Sequence, residues 1–184
     1  MSMSNDETVT TRPFEILITQ EKIAEKVAIL GRQITSDYAG DSPVLLGVLK
    51  GCIVFLADLM RAIDLPLEIE FVSAASYRRG KQQEDNLLLG GASPIPLKDR
   101  PVLIVEGVVD SGRTVRAITN RVSREEPASV EVVTLIDKPT SHRVELRVKY
   151  RAFTLGNEFV IGYGLDNTQR YRNLPYVGRM IDSQ

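Results

Sequence analysis

Val102-Leu103-Ile104-Val105 is an unbroken apolar run, followed across Glu106-Gly107 by Val108-Val109, and the segment stops at Asp110-Ser111-Gly112-Arg113-Thr114. A strand that is apolar on both faces needs cover on both, as in a parallel sheet between layers of helix. Val44 to Leu49 and Val130 to Ile136 have the same character, and Leu67 to Ser76 reads as a further strand. Segments of helical period fall between them. Thr19 is a candidate cap, with Glu21 in the first turn, for a helix carrying Ile23, Val27, Leu30, Ile34 and Tyr38. That helix ends at the Gly40 to Pro43 break. Ile53 to Ile63, before Pro66, and about Thr114 to Arg124, before Pro127, are two more. Phe159 to Gly164 begins the last recognisable segment. The alternation predicts an α/β fold: a mostly parallel central sheet flanked by helices.

The 184 residues suit a single domain, 1–184, with residues 1–12 a polar, flexible arm that lacks a signal-peptide pattern. No apolar run is long enough for a membrane span, and a net charge of −1 gives no reason to expect nucleic acid. Cys52 is the sole cysteine, which excludes an internal disulfide and suits a reducing, cytoplasmic setting. It reads as a packed small residue, and His142, the sole histidine, as an exposed loop residue. One His and one Cys cannot build a zinc site, so any metal must take oxygen ligands.

Ligands of such sheets bind beyond the carboxyl ends of the strands. Lys50-Gly51, Asp110 to Thr114 and Asp137-Lys138 are expected there. Residues 77–91 are polar and long for a connection, hence either a functional flap or disordered.

The strand, glycine turn and helix start at 102–114 make an anion site, where backbone amides converge and the helix dipole adds positive potential. The plain alternative is an ordinary strand-to-helix turn. Two phosphate ligands compete. Gly107 to Thr114 reads G-x-x-x-x-G-R-T, one residue from a triphosphate loop, and Val132 to Asp137 supplies an apolar run ending in an acid. Yet Arg113 stands where that loop has lysine, and Asp110 would repel a triphosphate. A phosphorylated sugar fits better, with its phosphate on the amides and its hydroxyls on the acids.

Several separated motifs carry a resemblance. They are Leu49-Lys50-Gly51, Ser76-Tyr77, the 102–114 segment, Asp137-Lys138-Pro139, and Phe159 to Asp166 continuing to Tyr176. Over about residues 12–181 the chain resembles the type I phosphoribosyltransferases, and more narrowly the hypoxanthine (guanine) phosphoribosyltransferases. The resemblance implies a small hood over the sheet and a mobile flap at 77–91. It implies transfer of ribose 5-phosphate from phosphoribosyl pyrophosphate to hypoxanthine or guanine, giving IMP or GMP and pyrophosphate, with magnesium (Mg2+) as cofactor. It also implies a homodimer or homotetramer.

Residue by residue, the resemblance makes Asp110 the acid beside purine N7, although an aspartate there also suits a helix cap. Ser111, Gly112, Arg113 and Thr114 match the 5′-phosphate cradle. Lys138 matches the donor to the 6-oxo oxygen; without the other motifs it would read as a surface lysine. Phe159 matches the ring that stacks on the base, where a core aromatic is the plain alternative, and Val160 matches a backbone contact to the base. Arg172 matches a pyrophosphate ligand. Lys50 and Gly51 match a pyrophosphate loop whose Leu-Lys peptide can be cis. Ser76 and Tyr77 open the flap. Glu106 and Asp166 match positions that hold ribose hydroxyls and magnesium. The family pattern has two adjacent acids at 106–107, whereas this chain has Glu106-Gly107. Loss of one charged acceptor is expected to cost about 1.5–3 kcal/mol if nothing replaces it. That leaves open a weakened paralogue acting as a nucleotide-binding or regulatory module.

Overall fold

A computed structural model describes residues 13–73 and 95–181. The arm at 1–12, Ser76, Tyr77 and the 77–91 segment lie outside the described residues. The elements run β1 (Phe14–Ile18), α1 (Gln20–Asp37), β2 (Val44–Leu49), α2 (Ile53–Ala62), β3 (Glu68–Ser73), β4 (Pro101–Val109) and α3 (Arg113–Ser123). β5 (Ser129–Asp137), β6 (Tyr150–Thr154), β7 (Val160–Ile161) and β8 (Val177–Met180) follow.

Five strands pair in parallel in the order β3-β2-β4-β5-β6. Alternate residues of the apolar runs serve opposite faces. Leu45, Leu103, Val105, Val133 and Leu135 pack with Ile23, Val27, Leu30 and Ile34 of α1 and Phe55, Leu56 and Leu59 of α2. Val44, Leu46, Val102 and Ile104 pack instead with Ile118 and Val122 of α3. Each fully buried side chain of this size contributes roughly 1.5–3 kcal/mol. Double cover explains why these strands show no polar alternation. Thr19 caps α1 as expected, its hydroxyl accepting from the Lys22 amide at 3.5 Å. Cys52 is fully buried, and desolvation, with the nearby Glu106 charge second, pushes its thiol up to about 12.

Three strands, β1, β6 and β8, escape the sequence patterns. β1, β8 and β7 form a second, antiparallel sheet from the two ends of the chain, the expected hood. β6 joins the edge of the main sheet beside β5.

The order of the main sheet reverses between β2 and β4. β2 passes to β3 on one side, while β4 leads to β5 and β6 on the other. The loops after β2 and β4 therefore leave the same end of the sheet side by side, at the crevice where ligands bind such folds.

Candidate active site

Strand register brings the first two functional groups together. Val109 of β4 stands opposite Asp137 of β5, so the next residues, Asp110 and Lys138, emerge as neighbours. The Lys138 amide donates to the Val109 carbonyl at 2.9 Å, and Lys138 Nζ lies 3.6 Å from Asp110 Oδ2. Lys138 is 5% exposed, so it is no surface lysine. Its ammonium donates to the Glu158 carbonyl at 2.8 Å, which leaves it two further donors. The Asp110 side chain is 61% exposed and caps nothing. The N-cap of α3 is Gly112, at φ +75°, a left-handed conformation that suits glycine. The first helical bond runs from the Arg116 amide to the Gly112 carbonyl, leaving the amides before it free of helix acceptors. Arg113 at the start of α3 is exposed, and Ser111 and Thr114 are half-buried.

Phe159 follows Glu158 and is 56% exposed, which excludes the core reading of its ring. Val160, next to it, is buried in β7. The lysine that reaches towards Asp110 thus also pins the backbone that presents the aromatic ring.

On the far side of the crevice the chain from Gly162 to Leu174 folds back on itself. The Gly164 amide donates to the Arg172 carbonyl at 2.9 Å, and Arg172 Nη1 donates to the Gly164 carbonyl at 2.8 Å. Arg172 Nη2 pairs with Asp166 at 2.8 Å, while the Gln169 amide donates to the other Asp166 oxygen at 2.7 Å. Gln169, which no sequence motif singled out, accepts through Oε1 from both Lys50 Nζ at 3.5 Å and Arg172 Nη2 at 3.3 Å. It joins the β2 loop to the C-terminal loop, a contact between residues 119 positions apart. The Leu49–Lys50 peptide is cis, as the resemblance implied.

Glu106 folds onto the backbone that follows it in its own strand, accepting from the Gly107 amide at 2.9 Å. Desolvation pushes its carboxyl up to about 8, against the opposing pull of the Gly107 and Val108 amides. His142 is not the exposed residue expected. Its side chain is 16% exposed because Nε2 meets the buried Asp137 carboxylate at 2.9 Å.

A phosphate-ready helix start, a carboxylate beside a buried ammonium, and an exposed ring share one end of the sheet. Residues 15–168 match the model of the phosphoribosyl transferase domain. The chain belongs to the phosphoribosyl transferase family. It is 41% identical over 164 residues to the hypoxanthine-guanine phosphoribosyltransferase of Streptococcus pneumoniae, covering 89% of this chain and 91% of that protein. It is 38% identical over 169 residues to the hypoxanthine phosphoribosyltransferase of Escherichia coli, covering 91% and 95%. A crystal structure of a hypoxanthine phosphoribosyltransferase from Staphylococcus aureus superposes with a TM-score of 0.84 at 36% identity, covering 96% and 98%. This chain is therefore a phosphoribosyltransferase of the hypoxanthine (guanine) group, and neither the triphosphate-loop nor the regulatory reading gains support. No helix among the described residues is long and apolar enough to cross a membrane.

Proposed function

We propose that the protein transfers the ribose 5-phosphate of phosphoribosyl pyrophosphate to hypoxanthine or guanine, in purine salvage, releasing pyrophosphate. The observation that carries this is the Asp110–Lys138 pair, 3.6 Å apart. The N7 and O6 atoms of a 6-oxopurine lie side by side on one edge. Asp110 takes the N7 proton while Lys138 donates to O6. The bond from ribose C1′ to the pyrophosphate oxygen breaks, and the bond from C1′ to purine N9 forms. Lys138 has donors and no acceptor, so the 6-amino group of adenine finds no partner there. Phe159 offers its exposed face for stacking, and the Val160 backbone meets the base edge.

The Ser111 to Thr114 amides and hydroxyls hold the 5′-phosphate at the α3 N-terminus. Glu106 accepts from ribose hydroxyls, and these donors favour its ionised form. Arg172, Lys50 and Gly51 hold the pyrophosphate, with Arg172 already fixed by Gly164 and Asp166. Among the described residues no three or more His, Cys, Asp or Glu gather as a metal site. The donors available are single carboxylates, Asp166 and Glu106, and this suits magnesium shared with substrate oxygens. When bound, magnesium supplies charge neutralisation of the departing pyrophosphate. The protein acts in the cytoplasm as a homodimer or homotetramer, and the chain, 1–184, works as one domain.

The test follows nucleotide absorbance with magnesium, phosphoribosyl pyrophosphate and hypoxanthine or guanine. IMP or GMP forms with the parent, and Asp110→Asn slows turnover by roughly 10²–10⁴-fold. Absence of product with both bases at saturating substrates overturns the proposal.

A further inference from the structure

Asp137 is buried at the end of β5, its side chain 2% exposed, and it takes two donors. His142 Nε2 stands 2.9 Å from Oδ1, and Arg151 Nη1 of β6 stands 3.1 Å from Oδ2. A carboxylate only accepts, so Nε2 carries the proton of this bond whether the ring is neutral or charged. The chain between Asp137 and His142 is one tight turn. The Ser141 amide donates to the Lys138 carbonyl at 2.9 Å, and the His142 amide to the Pro139 carbonyl at 3.3 Å. The next residue reaches the other half of the crevice: the Arg143 amide donates to the Ser111 carbonyl at 2.9 Å. Val144 and Leu146 then lie against Gly112, 3.2 and 3.3 Å from where a Cβ would stand. The segment that leaves Lys138 is thus the one that backs Ser111 and Gly112; the His142–Asp137 bond ties its turn to β5, and Ser141 Oγ, donating to Asn157 Oδ1 at 2.8 Å, ties the turn to the loop before Glu158.

We propose that His142 is a positioning residue. Its bond to Asp137 fixes the Pro139–Ser141 turn and so couples the place of Lys138 to the place of the Ser111 loop. What those two ends bind rests on the function proposed above. Without the imidazole, a buried carboxylate oxygen loses its donor, and the turn loses its side-chain hydrogen bond to β5 next to Arg143.

The test compares the full-length parent, His142→Ala and His142→Gln with magnesium, phosphoribosyl pyrophosphate and hypoxanthine. Amide hydrogen exchange is measured on the same samples without substrates. His142→Ala raises KM for both the purine and phosphoribosyl pyrophosphate by roughly tenfold, the effect of one lost hydrogen bond to a charged group. Exchange at the Arg143 amide quickens while the β4 and β5 amides hold. His142→Gln, which keeps an N–H donor, recovers most of both effects. Parent-like KM values with unchanged Arg143 exchange overturn the proposal. So does a lowered melting temperature without a KM change, or a rise in the KM for the purine alone, since neither is coupling. A parent that forms no nucleotide contradicts the functional reading instead, and the exchange of Arg143 then decides the positioning role by itself.

Discussion

The carbonyl oxygen of Gly51 lies 2.7 Å from the point where a Cβ on Gly107 would stand. Leu165 Cδ2 is 2.9 Å from the same point, and Gly164 faces the same carbonyl at the same 2.7 Å. The position where the family pattern has a second acid is filled here by the backbone of the β2 loop and a leucine. The missing carboxylate and the close approach of that loop are two sides of one packing arrangement.

Restoring an aspartate at 107 therefore displaces Gly51, and with it Lys50. We expect Gly107→Asp and Gly107→Ala alike to raise the KM for phosphoribosyl pyrophosphate, since overpacking of this kind costs about 1–3 kcal/mol, roughly fivefold to a hundredfold. Steady-state kinetics check this. A Gly107→Asp variant with kcat/KM above the parent would show instead that the loop yields and that the absent acid limits turnover.

Phe159 is mostly solvent-exposed, so its ring contributes little to folding. Phe159→Ala should leave the melting temperature within about a degree or two of the parent, as a surface change does. The KM for hypoxanthine should rise about tenfold or more, because base–aromatic stacking is worth roughly 1–3 kcal/mol. A large fall in melting temperature would return this ring to the core.

Stability should depend on pH through α1 and β6. The Tyr150 hydroxyl donates to Asp37 Oδ2 at 2.6 Å, and Lys149 stands 3.4 Å from the same oxygen. Tyr150 chiefly, then Lys149, holds the Asp37 carboxyl below its ordinary 3.8. A folded-state value below the unfolded one means stability that is present above the unfolded value and lost as pH falls through the folded one. Asp37→Asn should melt lower than the parent at neutral pH, and the gap should close below about pH 3–4. A gap that stays constant down to acid pH would assign the loss to packing rather than to ionisation.

What the sequence showed and hid follows from the range of the interactions. β2, β4 and β5 are legible because both faces of each are largely buried, so apolar residues follow one another along them with few interruptions. α1 is legible because its cap and its apolar stripe are local. β8 is four residues, Val-Gly-Arg-Met, and exists by pairing with β1, more than 150 positions away. β6 alternates Arg151 with buried Tyr150 and Ala152, and it gains its place from β5. Candidate site residues stand out in the sequence where a motif is contiguous, as at Asp110 to Thr114, which the structure places at the start of α3. Gln169, His142 and the Gly51–Gly107 contact do not, because each takes its role from a partner brought close only by the fold. A polar loop around His142 gives no hint that a buried Asp137 waits five residues earlier.

We propose that Asp110 and Lys138 together read the N7–O6 edge of a 6-oxopurine. The most direct test measures IMP formation from hypoxanthine against AMP formation from adenine, for the parent and for Lys138→Gln. We predict rapid IMP formation and no detectable AMP with the parent. Lys138→Gln should weaken hypoxanthine use by roughly tenfold to a hundredfold and narrow the gap to adenine, since its amide can also accept. Equal use of both bases by the parent, or an unchanged preference in Lys138→Gln, would contradict the account.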